Sequence, residues 1–563
     1  MRNTVLFALA ASAALAAHAA AYRNPVLTMD FSDPDVCAGA DGKFYMTASS
    51  FGGLPGLPVL VSEDLVNWSY ACYALEKHPF ETYSPEHGNA VWAPSIRYRA
   101  DRNEYVIYWG DPDRGAYRIS AKNPSGPWSE PRLVIPAKGL IDTCPLYDDD
   151  GRVYLVNGWA QSRAGMNSVL TVRELDSEET HAISEPVMVY DGVPAGNFTS
   201  EGPKFYKRNG EYWLMFPAGG VPTGWQVAAR APTPFGPYVA RTVMAQGNVK
   251  INGPHQGGWV HTPHGEDWFL HFSDRDAYGR IVYLEPMKWL EDGWPVIGVD
   301  KDGDGCGEPV EEYEMPKGGT IGAQKLYPQL DDEFNSVKPG LQWQWLGKSA
   351  NFAGWCTPYG FYRLYSTPYS YTPSNSSLKN SHSVNTWNSP NLMVQKFPAF
   401  NFTAVMKAQC GAKQPTEESG IIVQGLDYAR LGLRYNGENA FEVVYTECFS
   451  ADKLKAETTK VLGNVPATVI GAGIRTANVK DVYFKVEVRQ TKEVPDKALC
   501  GAAMCAFYYS FDAENWICAN EGKLFKAREG KWIGATIGIY SLHAPEFRDR
   551  GWIDADWFRI VRH

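Results

Sequence analysis

Asp41-Gly42-Lys43-Phe44-Tyr45-Met46 is a turn followed by the start of an aromatic strand, and the same pattern returns four times before residue 300. The later copies are Arg102-Asn103-Glu104-Tyr105-Val106-Ile107, Asp150-Gly151-Arg152-Val153-Tyr154-Leu155, Asn209-Gly210-Glu211-Tyr212-Trp213-Leu214 and His264-Gly265-Glu266-Asp267-Trp268-Phe269. From Tyr45 through Tyr105, Tyr154 and Trp213 to Trp268 the steps are 60, 49, 59 and 55 residues. Each step leaves room for about four short strands, the size of one β-propeller blade. Five copies therefore predict five blades.

The remainder of the chain lacks this repeat and alternates instead. In Val482–Arg489, the apolar side chains of Phe484, Val486 and Val488 face one way and polar side chains face the other. Such alternation predicts a half-buried antiparallel strand. Many short strands of this kind predict a two-sheet, concanavalin-like sandwich. The predicted all-β chain is a signal peptide (1–21), a five-bladed propeller (22–315), a linker (316–326) and a β-sandwich (327–563).

Composition and net charge limit the classes of protein to which this chain can belong. Hydrophobic residues make up 44% of the 563 residues and charged residues 21%, which is typical of a soluble globular protein. The net charge of −10 gives no electrostatic reason to expect nucleic acid or an anionic membrane as a partner. The aromatic share of 13% fits β-rich packing. It also fits sugar binding, although packing alone would account for most of these rings.

The N-terminus has the pattern of a secretory signal. Arg2 precedes the apolar run Val5–Ala11, and Ala17-His18-Ala19 is a small-x-small cleavage site. A buried N-terminal helix is the less favoured interpretation. No later segment has the roughly 20 consecutive apolar residues needed to cross a bilayer. We therefore expect a periplasmic or secreted protein.

The ten cysteines are scattered, and their even number in an exported chain permits disulfides. We expect most of them to be small core residues, with Cys500 and Cys505 the nearest pair. The absence of a Cys-x-x-Cys motif disfavours zinc and thiol-redox chemistry.

Three acidic segments lie beside different copies of the repeat. They are Ser32-Asp33-Pro34-Asp35, Ile141-Asp142-Thr143-Cys144-Pro145 and Thr199-Ser200-Glu201-Gly202-Pro203. Carboxylates so far apart in sequence meet only if the repeats surround a common axis. Glycoside hydrolysis needs two carboxyl groups across a pocket, one as base and one as acid with a raised pKa. We assign Asp33 as base and Glu201 as acid, against the simpler interpretation of an Asp-Pro turn and a solvated loop glutamate.

At these positions the chain resembles the family 43 glycoside hydrolases. The resemblance covers nearly the whole chain after residue 21. Its segments are Asn24-Pro25-Val26-Leu27 with Ser32-Asp33-Pro34-Asp35-Val36, Val91-Trp92-Ala93-Pro94-Ser95-Ile96, Ile141-Asp142, Glu201-Gly202-Pro203, Leu341-Gln342-Trp343-Gln344-Trp345 and Asp554-Ala555-Asp556-Trp557-Phe558. The last two resemble the ends of the β-sandwich in the β-xylosidase-like branch of the family.

The resemblance implies a role for each site residue. Asp33 would be the base, Glu201 the acid, and Asp142 the carboxylate that orients the acid and raises its pKa, in an inverting enzyme. Arg280 would contact the non-reducing sugar, and a surface-strand arginine is the alternative. Trp92 and His255 would also meet the substrate, rather than only packing between blades or in the core. Asp30 is a second acid near the base segment, and we prefer Asp33 because the family's base directly precedes proline.

The resemblance requires no cofactor but allows a structural Ca²⁺, because His255 matches a histidine that borders a central cation in several relatives. Two other acidic features are interpreted as plain turns. The loop Asp300–Gly305 resembles half of a calcium loop but lacks the distal glutamate. Asp332 and Asp556 could share a cation across the sandwich, but solvated turn carboxylates are preferred.

We therefore expect an exo-acting glycosidase that removes terminal pentoses from hemicellulose-derived glycans. The sandwich in such relatives closes one side of the pocket, which disfavours endo cleavage. The expected substrates are arabinoxylan, arabinan, xyloglucan or xylo-oligosaccharides. We favour α-L-arabinofuranosidase activity, with β-D-xylosidase activity in addition or instead. A non-catalytic carbohydrate-binding propeller and a calcium-dependent adhesion protein are the competing classes.

Overall fold

The computed structural model describes residues 21–80, 86–319, 322–346, 353–368, 370–371, 384–389, 391–470, 476–544 and 550–563. The predicted signal segment lies outside these residues except for Ala21, which opens the first strand, β1 (Ala21–Arg23).

The predicted propeller is confirmed. Over the described part of residues 35–297, the chain forms five four-stranded antiparallel sheets in sequence order, one per blade. Blade I is β2 (Asp35–Ala38), β3 (Phe44–Thr47), β4 (Gly56–Ser62) and β5 (Trp68–Leu75). Blade II is β6 (Trp92–Arg99), β7 (Glu104–Asp111), β8 (Gly115–Ala121) and β9 (Arg132–Pro136). Blade III is β10 (Leu140–Tyr147), β11 (Val153–Trp159), β12 (Val169–Leu175) and β13 (Val187–Asp191), with a one-turn helix, α1 (Gln161–Ala164), after β11. Blade IV is β14 (Lys204–Arg208), β15 (Glu211–Ala218), β16 (Trp225–Ala231) and β17 (Val239–Met244). Blade V is β18 (His255–His261), β19 (Asp267–Asp274), β20 (Arg280–Trp289) and β21 (Pro295–Ile297), with a 3₁₀ turn at Asp276–Tyr278.

The aromatic repeat occupies one structural position. Tyr45, Tyr105, Tyr154, Trp213 and Trp268 all lie in the second strand of their blades, and each is at most 5% exposed. The turn before each aromatic residue is therefore the hairpin between the first and second strands. The repeat sets the blade size because each aromatic side chain packs between neighbouring sheets.

The two ends of the propeller chain are joined through blade V. Leu27 bridges Val282 in β20, and β1 pairs with β22 (Glu312–Glu314). The amide nitrogen of Asn24 donates to the carbonyls of Leu284 and Val310, both at 2.8 Å. Its amide oxygen accepts from the Leu284 N–H at 2.9 Å. The N-terminal segment thereby closes the ring.

The second half forms the predicted sandwich. Its strands are β23 (Gln344–Trp345), β24 (Gly354–Cys356), β25 (Tyr362–Tyr365), β26 (Thr367–Pro368), β27 (Ser370–Tyr371), β28 (Val384–Asn385), β29 (Met393–Lys396), β30 (Phe402–Ala412), β31 (Glu418–Gln424), β32 (Tyr428–Tyr435), β33 (Ala440–Cys448), β34 (Thr458–Pro466), β35 (Thr468–Ile470), β36 (Thr476–Gln490), β37 (Ala503–Ser510), β38 (Ile517–Cys518), β39 (Phe525–Ala527), β40 (Thr536–His543) and β41 (Trp552–Arg562), with a 3₁₀ turn at Ala451–Lys453. One large sheet runs β23-β29-β40-β31-β32-β33-β34 and the other runs β24-β25-β41-β30-β36-β37-β38. Phe484, Val486 and Val488 are fully buried between them, as the alternation predicted.

The sandwich and the propeller share a surface. Tyr278, from the 3₁₀ turn of blade V, packs in the sandwich core. The Ala535 N–H donates to the Ala277 carbonyl at 2.7 Å. A loop of the sandwich at 528–534 thus lies against the propeller next to Arg280.

All ten cysteines lie in the described ranges and are free thiols, including Cys500 and Cys505. Five of them are buried (Cys37, Cys144, Cys410, Cys448 and Cys505). Among the helices of the described residues, none is long and apolar enough to cross a membrane.

Candidate active site

A small cavity of about 100 Å³ lies where the first strands of the blades converge. It is lined by all six residues predicted for the site: Asp33, Trp92, Asp142, Glu201, His255 and Arg280. Each blade supplies at least one of them. Asp33 and Glu201 come just before β2 and β14, Trp92 and His255 open β6 and β18, Asp142 lies near the start of β10, and Arg280 opens β20. The same end of every blade therefore faces the pocket.

Backbone irregularities turn these side chains into the cavity. The pairing register shifts between Trp92 and Ser95 in β6, between Ile141 and Cys144 in β10, and between His255 and Gly257 in β18. One residue in each irregularity has a positive φ: Ala93 at 35°, Asp142 at 58° and Gln256 at 38°. Bulges re-aim side chains next to active sites, and non-glycine residues in this conformation are strained. Regular strand pairing is thus interrupted in three blades, and the interruptions bring the side chains together in one pocket.

Asp33 is held by a short hydrogen-bonded chain. The Ser49 hydroxyl donates to Asp33 Oδ2 at 2.6 Å and accepts from the Ala93 N–H at 2.7 Å. Arg280 Nη1 lies 3.6 Å from the other oxygen, Asp33 Oδ1. The Trp-Ala-Pro segment of blade II therefore positions the carboxylate of blade I through Ser49.

Asp142 is connected to the segment that carries Glu201. Asp142 Oδ2 accepts from the Gly202 N–H at 2.7 Å. Gly202 has a φ of 57°, and a Cβ there would lie 2.4 Å from Gln256 Cδ, so only glycine fits. This hydrogen bond fixes the backbone next to Glu201 while bringing a negative charge close to it.

The three carboxyl groups differ in electrostatic surroundings. Burial raises the pKa of Glu201, the charges of Asp142 and Asp33 raise it further, and the charge of Arg280 opposes them. Burial and the charge of Asp33 raise the pKa of Asp142, against the Gly202 hydrogen bond. Burial raises the pKa of Asp33 too, but the Arg280 charge, the Ser49 hydrogen bond and the Lys204 charge all lower it. Glu201 is therefore the group best placed to stay protonated, because only the Arg280 charge lowers its pKa, whereas three groups lower the pKa of Asp33.

The other predicted residues form the walls. His255 Nε2 lies 3.5 Å from Glu201 Oε1, and burial lowers the pKa of His255 to about 3, so the ring is neutral. The Trp92 indole donates to the Gly88 carbonyl at 2.9 Å, which holds its ring at the cavity. Trp532, from the sandwich loop, meets Trp92 edge-on with ring centroids 6.3 Å apart. The Arg280 guanidinium lies 5.8 Å from the Trp532 ring centroid.

The Asp30 carboxylate forms hydrogen bonds with other parts of the fold. Its carboxylate accepts from the Arg280 N–H at 2.9 Å and from the Gly534 N–H at 3.2 Å. It does not line the catalytic cavity. Its hydrogen bonds tie the base segment to blade V and to the sandwich, which leaves Asp33 as the acid of this segment that faces the pocket.

His255 itself offers only nitrogen, whereas a directly bound calcium ion takes six to eight oxygen ligands. Neither ring nitrogen of His255 has a hydrogen-bond partner within the described residues. In that same part of the chain, three metal-ligating side chains come together only at Asp300, Asp302 and Asp304. Asp300 there accepts from the N–H groups of Gly303 and Gly305, as in a plain acidic turn.

Asp332 and Asp556, interpreted above as turn carboxylates in preference to a shared cation site, have separate partners. Asp332 accepts from the Phe334 N–H and from the Trp343 indole. Asp556 forms an ion pair with Lys407 at 2.8 Å.

Four residues at or beside the site were not predicted from the sequence. Ser49 and Gln256 lie in ordinary strand-edge sequences, and Trp532 lies in the other domain. Lys204 is fully buried, with Nζ 3.0 Å from both the Pro94 carbonyl and Ser95 Oγ. Of these, only Lys204 had a usable signal, because it directly follows Glu201-Gly202-Pro203 at the start of an apolar strand.

Comparison with known proteins gives matches over both halves. Residues 22–295 match the model of glycosyl hydrolases family 43, and residues 331–561 match the model of the β-xylosidase C-terminal concanavalin A-like domain. A Xylanibacter ruminicola protein with a provisional β-xylosidase name is 41% identical over 328 residues, which cover 58% of each chain. The non-reducing end α-L-arabinofuranosidase of Bacteroides ovatus is 29% identical, over 95% of this chain and 94% of that one.

Solved structures show the same fold. The xylan β-1,4-xylosidase of Bacillus halodurans superposes with a TM-score of 0.76 at 20% identity, covering 96% of this chain and 100% of that one. At this identity the likeness concerns the fold alone.

Proposed function

The chain belongs to family 43 of the glycosyl hydrolases, and from that premise we propose that it is an exo-acting, inverting enzyme that releases terminal pentoses from hemicellulose-derived glycans. The observation that carries the proposal is the meeting of Asp33, Asp142 and Glu201 in one small cavity. The raised pKa of Glu201 supports an acid that stays protonated while Asp33 is ionised.

The reaction is a single displacement. The Asp33 carboxylate takes a proton from a water molecule, whose oxygen attacks the anomeric carbon of the bound pentose. The bond to the leaving oxygen breaks as Glu201 gives that oxygen its proton, and the configuration at the anomeric carbon is inverted. Asp142 acts on Glu201 by its charge and by its hydrogen bond to the Gly202 N–H. Arg280 and Trp92 hold the sugar between Asp33, which activates the attacking water on one face, and Glu201, which protonates the leaving oxygen on the other.

The shape of the cavity supports exo action. The cavity is small, and Trp532 from the sandwich forms part of its wall, so it suits a chain end better than the middle of a chain. A closed pocket of this kind also excludes water other than the one that reacts.

The identity of the pentose is proposed from the names of the relatives. We propose α-L-arabinofuranoside as the main substrate, as in the name of the Bacteroides ovatus relative. A dedicated β-D-xylosidase is the second candidate, favoured by the provisional name of the Xylanibacter ruminicola relative, which has the higher identity over a shorter alignment. Arabinoxylan, arabinan, xyloglucan and xylo-oligosaccharides are the proposed sources of the terminal sugar.

The test is hydrolysis of 4-nitrophenyl α-L-arabinofuranoside and 4-nitrophenyl β-D-xyloside by the wild type, Asp33→Asn and Glu201→Gln. We expect the wild type to hydrolyse at least one of them, and each variant to lose about 10²- to 10⁴-fold in kcat. Glu201→Gln should retain more activity on a 2,4-dinitrophenyl glycoside, whose leaving group needs no proton, whereas Asp33→Asn should not.

The matched control is Glu291→Gln, a change at an exposed acid in the loop between β20 and β21, which should behave as the wild type. Catalytic variants that are folded and as active as the wild type would contradict the assigned roles. A wild type without turnover on any pentoside would favour the carbohydrate-binding alternative. The first-formed anomer, followed by proton NMR, tests inversion, and a retained anomer would overturn it.

We also propose that the protein is exported to the periplasm or secreted, on the basis of Arg2, the apolar run Val5–Ala11 and Ala17-His18-Ala19. N-terminal sequencing of the protein from its native cell should give a chain that starts at or near residue 20. A chain that still begins at Met1 would contradict export.

A further inference from the structure

A second cavity, of about 400 Å³, lies where the outer parts of blades I and II meet the beginning of the sandwich. It shares no lining residue with the catalytic pocket. We call it the junction groove and define it by the rings of Tyr73, Trp128, Trp343 and Trp345 and the charged groups of Glu76 and Lys338. Cavities of this size, at a domain boundary and with an aromatic lining, are typical of small-ligand sites.

The rings of the groove are held in place by the protein. The Trp128 indole donates to the Pro124 carbonyl at 3.2 Å, and the Trp343 indole donates to Asp332 Oδ2 at 3.0 Å. Trp345 is fixed through its backbone, which exchanges hydrogen bonds with Leu54. Trp343 is buried as the floor, while Tyr73, Trp128 and Trp345 are partly exposed. A ligand would therefore meet apolar ring surface that needs little ordering on binding.

The polar groups of the groove carry both signs. Glu76 and Lys338 are exposed, and neither forms an ion pair within the described residues. An anionic ligand would be repelled by Glu76 and a cationic ligand by Lys338. A neutral ligand with many hydroxyl groups can donate to a carboxylate and accept from an ammonium group at once. Aromatic faces together with unpaired groups of both signs fit a saccharide, whose ring faces are apolar and whose edges are polar.

We propose that the junction groove binds a saccharide segment of the glycan, away from the catalytic pocket. The identity of this ligand rests on the proposed function, whereas its binding does not depend on catalysis. The catalytic pocket itself is small and suits a single terminal sugar, so the rest of a polymer must contact the protein outside it. The groove would add affinity for long chains through a second contact on the same rigid molecule.

The test is affinity electrophoresis in gels that contain arabinoxylan, arabinan or xyloglucan, on the Glu201→Gln protein so that the gel is not degraded. We expect at least one of these polysaccharides to retard it. Adding Trp128→Ala should weaken the binding about tenfold, the effect of losing about 1.4 kcal/mol of ring contact. Adding Glu76→Ala together with Lys338→Ala should weaken it in the same direction, and these exposed changes are the safer ones for folding. Trp355→Ala, at a tryptophan that is 48% exposed elsewhere on the sandwich, is the matched control and should change nothing.

In the otherwise wild-type protein, the groove variants should leave hydrolysis of the small chromogenic pentosides unchanged, because the groove shares no residue with the pocket. Retardation with no chromogenic turnover would mean that the proposed function is wrong and the groove proposal stands. The groove proposal is overturned if no gel retards the protein, or if retardation survives both sets of groove changes. It is also overturned if those changes convert a dimer to a monomer in sedimentation without altering retardation, because a second copy of the chain would then be the occupant.

Discussion

At the scale of single residues, the site works by giving similar carboxyl groups different neighbours. Asp33 receives a hydroxyl hydrogen bond from Ser49 and faces Arg280. Glu201 instead lies near Asp142 and Asp33, whose charges add to burial in raising its pKa. These different neighbours favour the protonated form of Glu201 over that of Asp33, the difference that the proposed acid and base roles require.

The Asp142→Asn variant tests this electrostatic role. Glu201 must be protonated to act, so kcat/KM falls as the pH rises through its pKa. The Asp142 charge raises that pKa, and its removal lowers it. We expect the alkaline limb of the pH profile to move to lower pH, together with a lower maximal kcat/KM. The measurement is kcat/KM for a chromogenic pentoside across pH 4 to 10.

The control for this prediction is Asp148→Asn, which removes a carboxylate just after β10 that is paired with Lys207 and Tyr212 instead of with the site. Its alkaline limb should coincide with that of the wild type. An Asp142→Asn limb that stays in place or moves to higher pH would show that Asp142 does not raise the pKa of Glu201.

At the scale of elements, the first strand of each blade both builds the sheet and carries the site. The irregularities at Ala93, Asp142 and Gln256 interrupt pairing at the pocket end while the outer ends stay regular. These strained positions depend on the ring being closed, because an open ring would let the blades move apart. The N-terminal segment closes the ring, and within it the Asn24 side chain forms four hydrogen bonds to Leu284, Glu285 and Val310.

Asn24→Ala should therefore destabilise the propeller. It leaves the Leu284 N–H and the Val310 carbonyl without their side-chain partner, while the Leu284 carbonyl keeps the Tyr22 hydroxyl, and an unsatisfied buried group costs about 1–3 kcal/mol. We expect the free energy of unfolding in urea to fall by an amount in that range. Arg23→Ala is the adjacent control, because the Arg23 side chain is 81% exposed in its ion pair with Glu312. It should change the free energy of unfolding by less than about 0.5 kcal/mol, and equal losses in both variants would contradict the closing role of Asn24.

At the scale of the whole molecule, the catalytic pocket belongs to both domains. Tyr278 of blade V is part of the sandwich core, and Asp30 binds the backbone of Gly534 in the sandwich loop. The same loop carries Trp532 to the pocket wall with a φ of 67°, a strained value for a bulky residue. The sandwich is therefore both a support for blade V and a source of substrate-facing surface.

Trp532→Ala should loosen the pocket without removing a catalytic carboxyl group. We expect KM for a chromogenic pentoside to rise about tenfold, while kcat changes far less, because binding surface is lost in the ground and transition states alike. Trp516→Ala, at another sandwich turn outside the pocket, should leave both constants unchanged. A loss confined to kcat would mean that Trp532 acts on the reacting groups instead of on sugar binding.

Much of this architecture was predictable because it is periodic. The turn-plus-aromatic repeat recurs because every blade needs the same hairpin and the same packed ring. Tyr45 and its four counterparts therefore predicted five blades. The alternation around Phe484 predicted the sandwich for the same reason, because side chains along a strand with one buried face alternate with a period of two residues. The carboxylates could be recognised from the residues that follow them in the sequence, Pro34 after Asp33 and Gly202 after Glu201.

By itself, the sequence determined the number of blades, the second β domain and the three acids of the site, because local patterns encode strand, turn and burial. Only the tertiary structure decided which groups surround those acids. Ser49 reaches Asp33, Asp142 reaches Gly202 and Trp532 reaches Arg280 across gaps of 16, 60 and 252 residues, the last of them between domains. No local sequence pattern identifies such partners, because the sequence around a serine or tryptophan does not show where the fold will place it. The proposed difference in protonation between Asp33 and Glu201 depends on burial and neighbouring charge, which exist only once the blades have closed around the axis.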